Sequence, residues 1–200
     1  GDEHERNEHL NEELVSIRDA KAHIEKQVQT LAMVEGMQRT GDWHGLLKVS
    51  EQLEEMVVER EGVPVECTIS LLGVLAAVYS VHGDEVKALA ILLRELDMAL
   101  KHGTPTMQRH ACGKLARCYI ANGQYEDGMI QYKKHEGMCL EQIVDKKTHA
   151  ELGYNMGVVL ELRQENELAL VLYEESMGLC KDVKDARGEF HVYSGLGKLS

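Results

Sequence analysis

Histidine and cysteine are the residue types of this chain that could bind a metal ion or take part in nucleophilic catalysis. The sequence has ten histidines and five cysteines. His4 and His9 are five positions apart, which does not place them on one helix face, and His110 and Cys112 are two positions apart, which also keeps them from facing each other. An odd number of cysteines without short paired spacings argues against a disulfide framework and against a zinc site. The sequence therefore predicts no metal site and no Cys–His catalytic pair.

A second chemical signal is the string GLGK at positions 195–198, which resembles the end of a phosphate-binding loop. The upstream glycine spacing of such a loop and a preceding strand are both missing, and Gly197 is better explained as the small residue of a repeat. No nucleophile, acid–base pair or metal-binding set emerges elsewhere. We therefore expect a protein that is not an enzyme and that needs no cofactor.

The charge balance of the chain is acidic. It has 22 lysines and arginines against 34 aspartates and glutamates, which gives a formal net charge of −12. Nucleic acid and anionic membranes are poor partners for such a chain. A basic or amphipathic segment of another protein would be attracted, although most of the acidic side chains are better explained as solvated helix faces.

Apolar segments and cysteine context indicate where the chain is located. No apolar stretch approaches about 18 residues, so no membrane span is expected, and the polar N-terminus shows no signal peptide. Most cysteines lie in apolar helical context, where a free thiol behaves as a small hydrophobic group. This pattern indicates a reducing compartment, and we expect the cytoplasm.

A module of about 40 residues recurs four times and begins a fifth time. Its turn residues are Gly41, Gly83, Gly123 and Gln164, at successive steps of 42, 40 and 41 positions. In the second, third and fourth copies an apolar residue, a small residue and a large apolar or aromatic residue precede the turn, and the first copy is weaker. A fixed period of this length is typical of stacked helical repeats.

Each repeat is predicted to form two antiparallel helices. In the second repeat, residues 65–82 carry apolar side chains at the i, i+3, i+4 spacing of an amphipathic helix. Gly83 can end this helix in the left-handed conformation, and Asp84 can cap the next helix, over residues 85–100. The side chains expected in the core of this pair are Ile69, Leu72, Leu75, Ala76, Tyr79, Ala88, Leu89, Leu92 and Leu96.

The two prolines mark where repeats begin. Thr104 is expected to cap a helix whose first residue is Pro105, and Pro64 is expected to have the same role in the preceding repeat. The remaining helices are predicted at 107–121, 125–141, 148–163, 166–181 and 187–200. The side chains expected in the core of these repeats and of the first repeat include Met33, Met37, Leu115, Ala116, Tyr119, Ile130, Tyr132 and Met156.

The repeat pattern is weaker in the N-terminal segment than in the rest of the chain. Leu10, Leu14 and Ile17 have helical spacing within an acidic helix. This helix could be the second helix of a truncated earlier repeat, an end cap or a short coiled-coil arm. Because repeat arrays need polar end caps, we favour a cap or truncated repeat. The predicted organisation is an N-terminal helix over residues 1–26 and a repeat array over 27–200, with about four repeats and the first helix of a fifth.

The helix pairs resemble tetratricopeptide repeats over roughly residues 27–200. The matching residues are Leu75, Ala76, Tyr79, Gly83, Asp84, Ala88 and Leu92, then Leu115, Ala116, Tyr119, Gly123, Tyr125 and Tyr132, then Met156, Gly157, Ala169 and Tyr173. The usual period of this family is about 34 residues, so the longer period here resembles the branch found in cell-polarity and cytoskeletal adaptors and in axonemal proteins. Leu46 and Gly128 replace the usual alanine, and no proline closes the second helices. The resemblance implies an all-α, right-handed solenoid of antiparallel helix pairs.

In the family that this chain resembles, the first helices line a concave groove that binds an extended or helical peptide. The equivalent positions that could contact a partner are His110, Lys114, Arg117, Glu151, Tyr154, Asn155 and Glu161. Asn155 is the strongest of these candidates, because its amide can both donate to and accept from a peptide backbone. The alternative for each of them is an exposed helix residue without a partner.

Two functions are compatible with the sequence. The first is a non-catalytic adaptor or scaffold that holds a protein or peptide segment in the groove. The second is a structural component that stacks in a larger cytoskeletal or axonemal assembly, with self-association through its ends or its acidic arm. Both functions place the chain in the cytoplasm, in the second case next to the cytoskeleton or a cilium.

Overall fold

The fold of the described chain is entirely helical. The computed structural model describes residues 2–57, 64–141 and 145–199, and these residues form ten α-helices and no strand. The all-α class is thereby confirmed. The predicted array over 27–200 also includes residues 58–63, residues 142–144 and Ser200, which lie outside the described residues.

The helices fall into two compact units, at residues 1–103 and 104–200. The first unit contains α1 (Asp2–Thr40), α2 (Trp43–Lys48), α3 (Ser50–Met56), α4 (Val65–Val81) and α5 (Glu85–His102). The second unit contains α6 (Pro105–Ala121), α7 (Tyr125–Glu141), α8 (Lys146–Leu162), α9 (Asn166–Val183) and α10 (Ala186–Leu199). Within the units, α4 packs against α5, α6 against α7 and α8 against α9, as the paired-helix pattern predicts. None of the described helices is both long and apolar enough to cross a bilayer.

Four tight turns with one geometry reverse the chain between helices. Gly41, Gly83, Gly123 and Gln164 all have left-handed backbone, with φ of 73°, 80°, 74° and 64°. After each of them, the next amide donates to the carbonyl five positions earlier, at 2.8–2.9 Å. This is the hydrogen bond that closes a helix whose end is left-handed. The turns lie at the four positions that the repeat pattern predicts. Gln164 adopts the left-handed conformation although its side chain makes that conformation cost about 1 kcal/mol.

Side-chain caps fix where the next helices begin. Asp84 accepts from the Lys87 amide at 3.1 Å, and Thr104 accepts from the Met107 amide at 3.3 Å with Pro105 at the first helical position. Asp145 accepts from the Thr148 amide at 2.9 Å, and this hydrogen bond lowers the pKa of the Asp145 carboxyl. The prediction that Pro64 is the first residue of a helix is wrong by one position. Pro64 is the N-cap of α4, and the helix begins at Val65.

The first helix, α1, continues without a break across the predicted boundary at residue 26. Its C-terminal half is anchored by the fully buried Gln27, whose Nε2 donates to the Met56 carbonyl at 2.8 Å and to Thr68 Oγ1 at 3.4 Å. In the N-terminal half, Leu10, Leu14 and Ile17 are 50–65% exposed. The role of residues 1–26 as a cap or truncated repeat stays a prediction.

A single tyrosine organises the C-terminal part of the second unit. Tyr173 of α9 is fully buried, and its hydroxyl donates to Glu161 at 2.7 Å. The ring lies against two glycines: a Cβ atom would be 2.6 Å from the ring at Gly157 of α8 and 2.8 Å from it at Gly195 of α10. The absence of side chains at these two positions therefore lets α8, α9 and α10 meet around one aromatic ring.

Most predicted core residues are buried, and two are not. Ile130 is 43% exposed, because the inward face of α7 is formed by its neighbours Met129 and Tyr132. Met33 is 46% exposed, because the buried face of α1 runs through Gln27 and Val34. Leu89, Tyr119 and Met37 are half-buried.

We predict opposite effects of the same substitution at two helix glycines. Gly157 and Gly178 each lie five residues before the end of their helix, but Gly157 touches Tyr173 whereas Gly178 has nothing within 4 Å of an added Cβ. Gly157→Ala should therefore destabilise the fold by about 1–3 kcal/mol, because it forces a methyl group into a filled contact. Gly178→Ala should stabilise it by about 0.5–1 kcal/mol through helix propensity. Urea unfolding measures both, and equal shifts would contradict the Tyr173 packing.

Candidate functional site: a basic pocket in the second unit

A pocket of about 350 Å³ opens between α6, α7 and α8. The residues of α6 that line this pocket are three, four and seven positions apart, which places them on one face of the helix. The lining residues are Arg109, His110, Gly113, Lys114 and Arg117 from α6, Tyr132 and His135 from α7, and Thr148, Glu151, Leu152 and Asn155 from α8. Gly113 is buried, and a Cβ atom at this position would be 3.4 Å from His135 Nδ1. The imidazole of α7 therefore lies close to the backbone of α6.

Basic side chains dominate this lining, which we call the basic pocket. Arg109, Lys114 and Arg117 are cations at neutral pH. Glu151 is the one carboxylate among the described residues that line the pocket. The local charge is therefore positive, although the chain as a whole carries −12.

Two histidines of the basic pocket are held in the neutral form. Burial lowers the pKa of His110, and the charges of Lys114, Arg109 and Arg117 lower it further, while Glu151 acts in the opposite direction. Burial also lowers the pKa of His135, to about 4, with added repulsion from Arg109, His110 and Arg117. The Nδ1 atom of His135 is buried and has no hydrogen-bond partner among the described residues.

Tyr132 lines the basic pocket as a protonated phenol. Tyr132 is 2% exposed, and burial raises its pKa to about 12. Arg117 lowers this pKa and Glu151 raises it, so both charges act on the hydroxyl group. At neutral pH the hydroxyl keeps its proton and can donate a hydrogen bond.

The donors of this arrangement have the chemistry that suits an anion. Arginine offers several planar donors that match a carboxylate or a phosphate, and neutral histidine and tyrosine add one donor each. The thiol of Cys112, on the same helix, is buried, and burial raises its pKa, so it is not an activated nucleophile. Within the described part of the chain, no group of three or more His, Cys, Asp or Glu side chains could hold a metal ion.

The structure brings five of the seven predicted partner-binding residues together in the basic pocket. They are His110, Lys114, Arg117, Glu151 and Asn155. Glu151 and Asn155 also line a second pocket, of about 320 Å³, between α8 and α10. These two residues therefore lie at the boundary between the two pockets.

Tyr154 and Glu161 lie away from the basic pocket. Tyr154 lines the second pocket, where its ring centroid is 5.7 Å from that of Tyr173 and 6.0 Å from that of His191. Glu161 lines neither pocket: it accepts from the Tyr173 hydroxyl at 2.7 Å and pairs with Lys198 at 3.5 Å. Its contacts are therefore internal to the fold.

Six of the lining residues were not among the predicted ones, and they are Arg109, Gly113, Tyr132, His135, Thr148 and Leu152. Arg109 could have been found, because it precedes Gly113 and Arg117 on one face of α6. Tyr132 and His135 belong to a second helix, and the family resemblance directs attention to first helices only. Their place in the pocket follows from the close approach of α7 to α6 at Gly113.

Comparison with solved structures shows what the fold is similar to. BtubC (BKLC) from P. vanneervenii matches with a TM-score of 0.67 and 14% identity over 92% of this chain and 84% of that one. A kinesin light chain-like protein of Podosopora anserina, which has nearly identical TPR-like repeats, matches with a TM-score of 0.65 and 15% identity over 88% and 87%. Aspartyl phosphate phosphatase F from Bacillus subtilis matches with a TM-score of 0.72 and 14% identity over 88% of this chain and 49% of that one.

Sequence comparison adds no closer relative, because no family model and no curated protein matches the chain. At identities of 14–15% the solved structures establish the fold alone. That fold is the stacked helix-pair architecture of proteins with TPR-like repeats.

We predict that His135 titrates near pH 4 and that Arg117→Gln raises its pKa, because a repelling charge is removed. The folded-state pKa lies below the ordinary value of about 6.5, so the unfolded chain takes up this proton first as the pH falls. Stability from this histidine is therefore fully present above about pH 6.5 and is lost toward pH 4. NMR titration of the imidazole protons measures the pKa. Lys181→Gln, on α9, is the control, and an unchanged His135 pKa in Arg117→Gln would contradict the coupling.

Proposed function

We propose that the chain is a non-catalytic scaffold that binds an acidic segment of a partner protein at the basic pocket. The observation that supports this most is the clustering of Arg109, Lys114 and Arg117 around one cavity of a strongly acidic chain. A carboxylate or phosphate group is attracted to such a cluster at contact range.

The residues of the basic pocket have complementary roles in this proposal. Arg117 and Lys114 attract and orient the acidic group. Asn155 lies where the pocket meets the second pocket, so its amide can bind the backbone of the same segment. The segment then continues past Tyr154 and His191, which supply an aromatic surface.

The proposal reverses the expectation from net charge. A chain of −12 attracts basic partners at long range, but contact energies depend on the charges within about 10 Å. Within the basic pocket these charges are positive. An acidic segment is therefore attracted at the site itself, whereas a basic segment would be repelled by three cations.

The alternative proposal is a structural component of a cytoskeletal or axonemal assembly. Two observations favour it: kinesin light chain appears in the name of a similar structure, and Leu10, Leu14 and Ile17 of α1 are exposed. A row of exposed apolar side chains is typical of an interaction surface. In both proposals the chain acts in the cytoplasm.

The scaffold proposal predicts binding of a labelled hexaglutamate peptide that weakens as salt is added. Binding of hexalysine to the acidic faces should not depend on Arg117. Arg117→Glu should weaken hexaglutamate binding at least about tenfold, which corresponds to about 1.4 kcal/mol. Asn155→Ala should weaken it as well, and Glu151→Gln should strengthen it because a repelling carboxylate is removed. Fluorescence anisotropy measures the dissociation constants.

The matched control is Lys181→Glu, which makes the same change of charge sign on an exposed face of α9 outside both pockets. If Lys181→Glu weakened binding as much as Arg117→Glu, the attraction would be general rather than local. Unchanged affinity in Arg117→Glu and Asn155→Ala, with helical circular dichroism retained, would refute the basic pocket as the site.

A further inference from the structure

A buried tyrosine of the basic pocket has a hydroxyl group that the fold itself does not use. Tyr132 of α7 is 2% exposed, and its hydroxyl makes no hydrogen bond with any described residue. The oxygen is not one of the fully enclosed polar atoms that lack a partner, so it faces the open space of the basic pocket. A donor in this position is available to an acceptor that binds in the pocket.

Two further donors reach the basic pocket from the other two helices. Arg117 lies back over α6, with its Nη1 atom 3.7 Å from a Cβ atom built at Gly113, and it forms no ion pair or hydrogen bond with a described residue. Asn155 of α8 also forms no hydrogen bond with a described residue. Together with Tyr132 of α7, these side chains place one available donor group on each of the three helices that surround the pocket.

We propose that the acidic group bound in the basic pocket is the phosphate of a phosphorylated side chain, so that phosphorylation of the partner segment switches on its binding. The inference rests on the proposed function, because it names the chemistry of the same segment. Arg117 supplies a planar pair of donors for two phosphate oxygens. Tyr132 and Asn155 donate to the third oxygen, which no part of the Arg117 fork can reach.

The arrangement of the donors favours phosphate over carboxylate. The lone pairs of a carboxylate lie in one plane, and a single guanidinium can satisfy both of its oxygens. A phosphate group has three strong acceptor oxygens that point in different directions. Donors that come from three helices therefore match a phosphate, whereas a carboxylate would use the donors of α6 alone.

The charge of the lining favours phosphate as well. Three cationic side chains, Arg109, Lys114 and Arg117, line the basic pocket together with one carboxylate, Glu151. The lining therefore has a surplus of two positive charges. A phosphorylated side chain carries about −1.5 to −2 at neutral pH and balances this surplus, whereas a single carboxylate leaves half of it.

A protein segment suits this pocket better than a membrane surface or a nucleic acid. The net charge of −12 repels an extended anionic surface, whereas a single phosphorylated residue brings its charge to the pocket alone. The second pocket adjoins the basic pocket at Glu151 and Asn155. Residues that flank the phosphorylated one can therefore contact the chain there.

Fluorescence anisotropy with labelled, alanine-rich peptides tests this inference. The peptides are identical except for their central residue, which is phosphoserine, glutamate or serine. We expect the phosphoserine peptide to bind at least about tenfold more tightly than the glutamate peptide, and the serine peptide to bind more weakly than either. Inorganic phosphate should displace the phosphoserine peptide only at much higher concentration, because it lacks the contacts of the flanking residues.

The deciding variant is Tyr132→Phe, which removes the hydroxyl and keeps the ring. It should weaken binding of the phosphoserine peptide about tenfold and change binding of the glutamate peptide by less than about twofold. The matched control is Tyr119→Phe, which removes a hydroxyl from α6 outside both pockets and should change neither affinity. Glu151→Gln should strengthen binding of the phosphoserine peptide more than that of the glutamate peptide, because the carboxylate repels a dianion more strongly. Circular dichroism should show all three variants folded.

The outcomes separate this inference from the proposed function. If hexaglutamate binds through Arg117 but the phosphoserine peptide binds no more tightly than the glutamate peptide, the phosphate inference is wrong and the scaffold proposal stands. If neither hexaglutamate nor the phosphoserine peptide binds, both are wrong. Unchanged affinity for the phosphoserine peptide in Tyr132→Phe and Glu151→Gln would place the phosphate elsewhere. Inorganic phosphate that competes as strongly as the peptide, or tighter binding to vesicles that contain phosphatidylinositol phosphate, would overturn the choice of a protein segment.

Discussion

The reversal of the chain within three residues is the constraint on which the rest of the structure depends. A helix that ends in the left-handed conformation at Gly41, Gly83, Gly123 or Gln164 directs the next helix back along the first. Because the reversal recurs at the same phase, first helices follow one another at a fixed interval in sequence. In the second unit this brings α6 and α8 to opposite sides of one cavity, although its residues Arg117 and Glu151 are far apart in the chain.

A second constraint is that small residues are needed where two helices approach closely. Gly157 and Gly195 allow α8 and α10 to meet the ring of Tyr173, and the ring takes the space that a side chain would fill at each position.

The electrostatics of the chain operate on two length scales. The total charge of −12 acts at a distance and keeps the surface solvated. The basic pocket acts at contact range. Burial, and after it the clustered cations, lowers the pKa values of His110 and His135. An anion in the basic pocket would relieve the repulsion between the cations.

The sequence by itself determined the helix pairs, because turn residues, caps and apolar spacing are local signals that need no tertiary information. Gly83, Asp84 and Thr104 have the roles that their residue types predict. The sequence also identified five residues of the basic pocket through the family resemblance. Only the tertiary structure decided that Tyr132 and His135 join them, that Glu161 is engaged by Tyr173, and that Ile130 is exposed. These outcomes depend on how one helix is rotated against another, and that rotation is set by packing between residues distant in the chain.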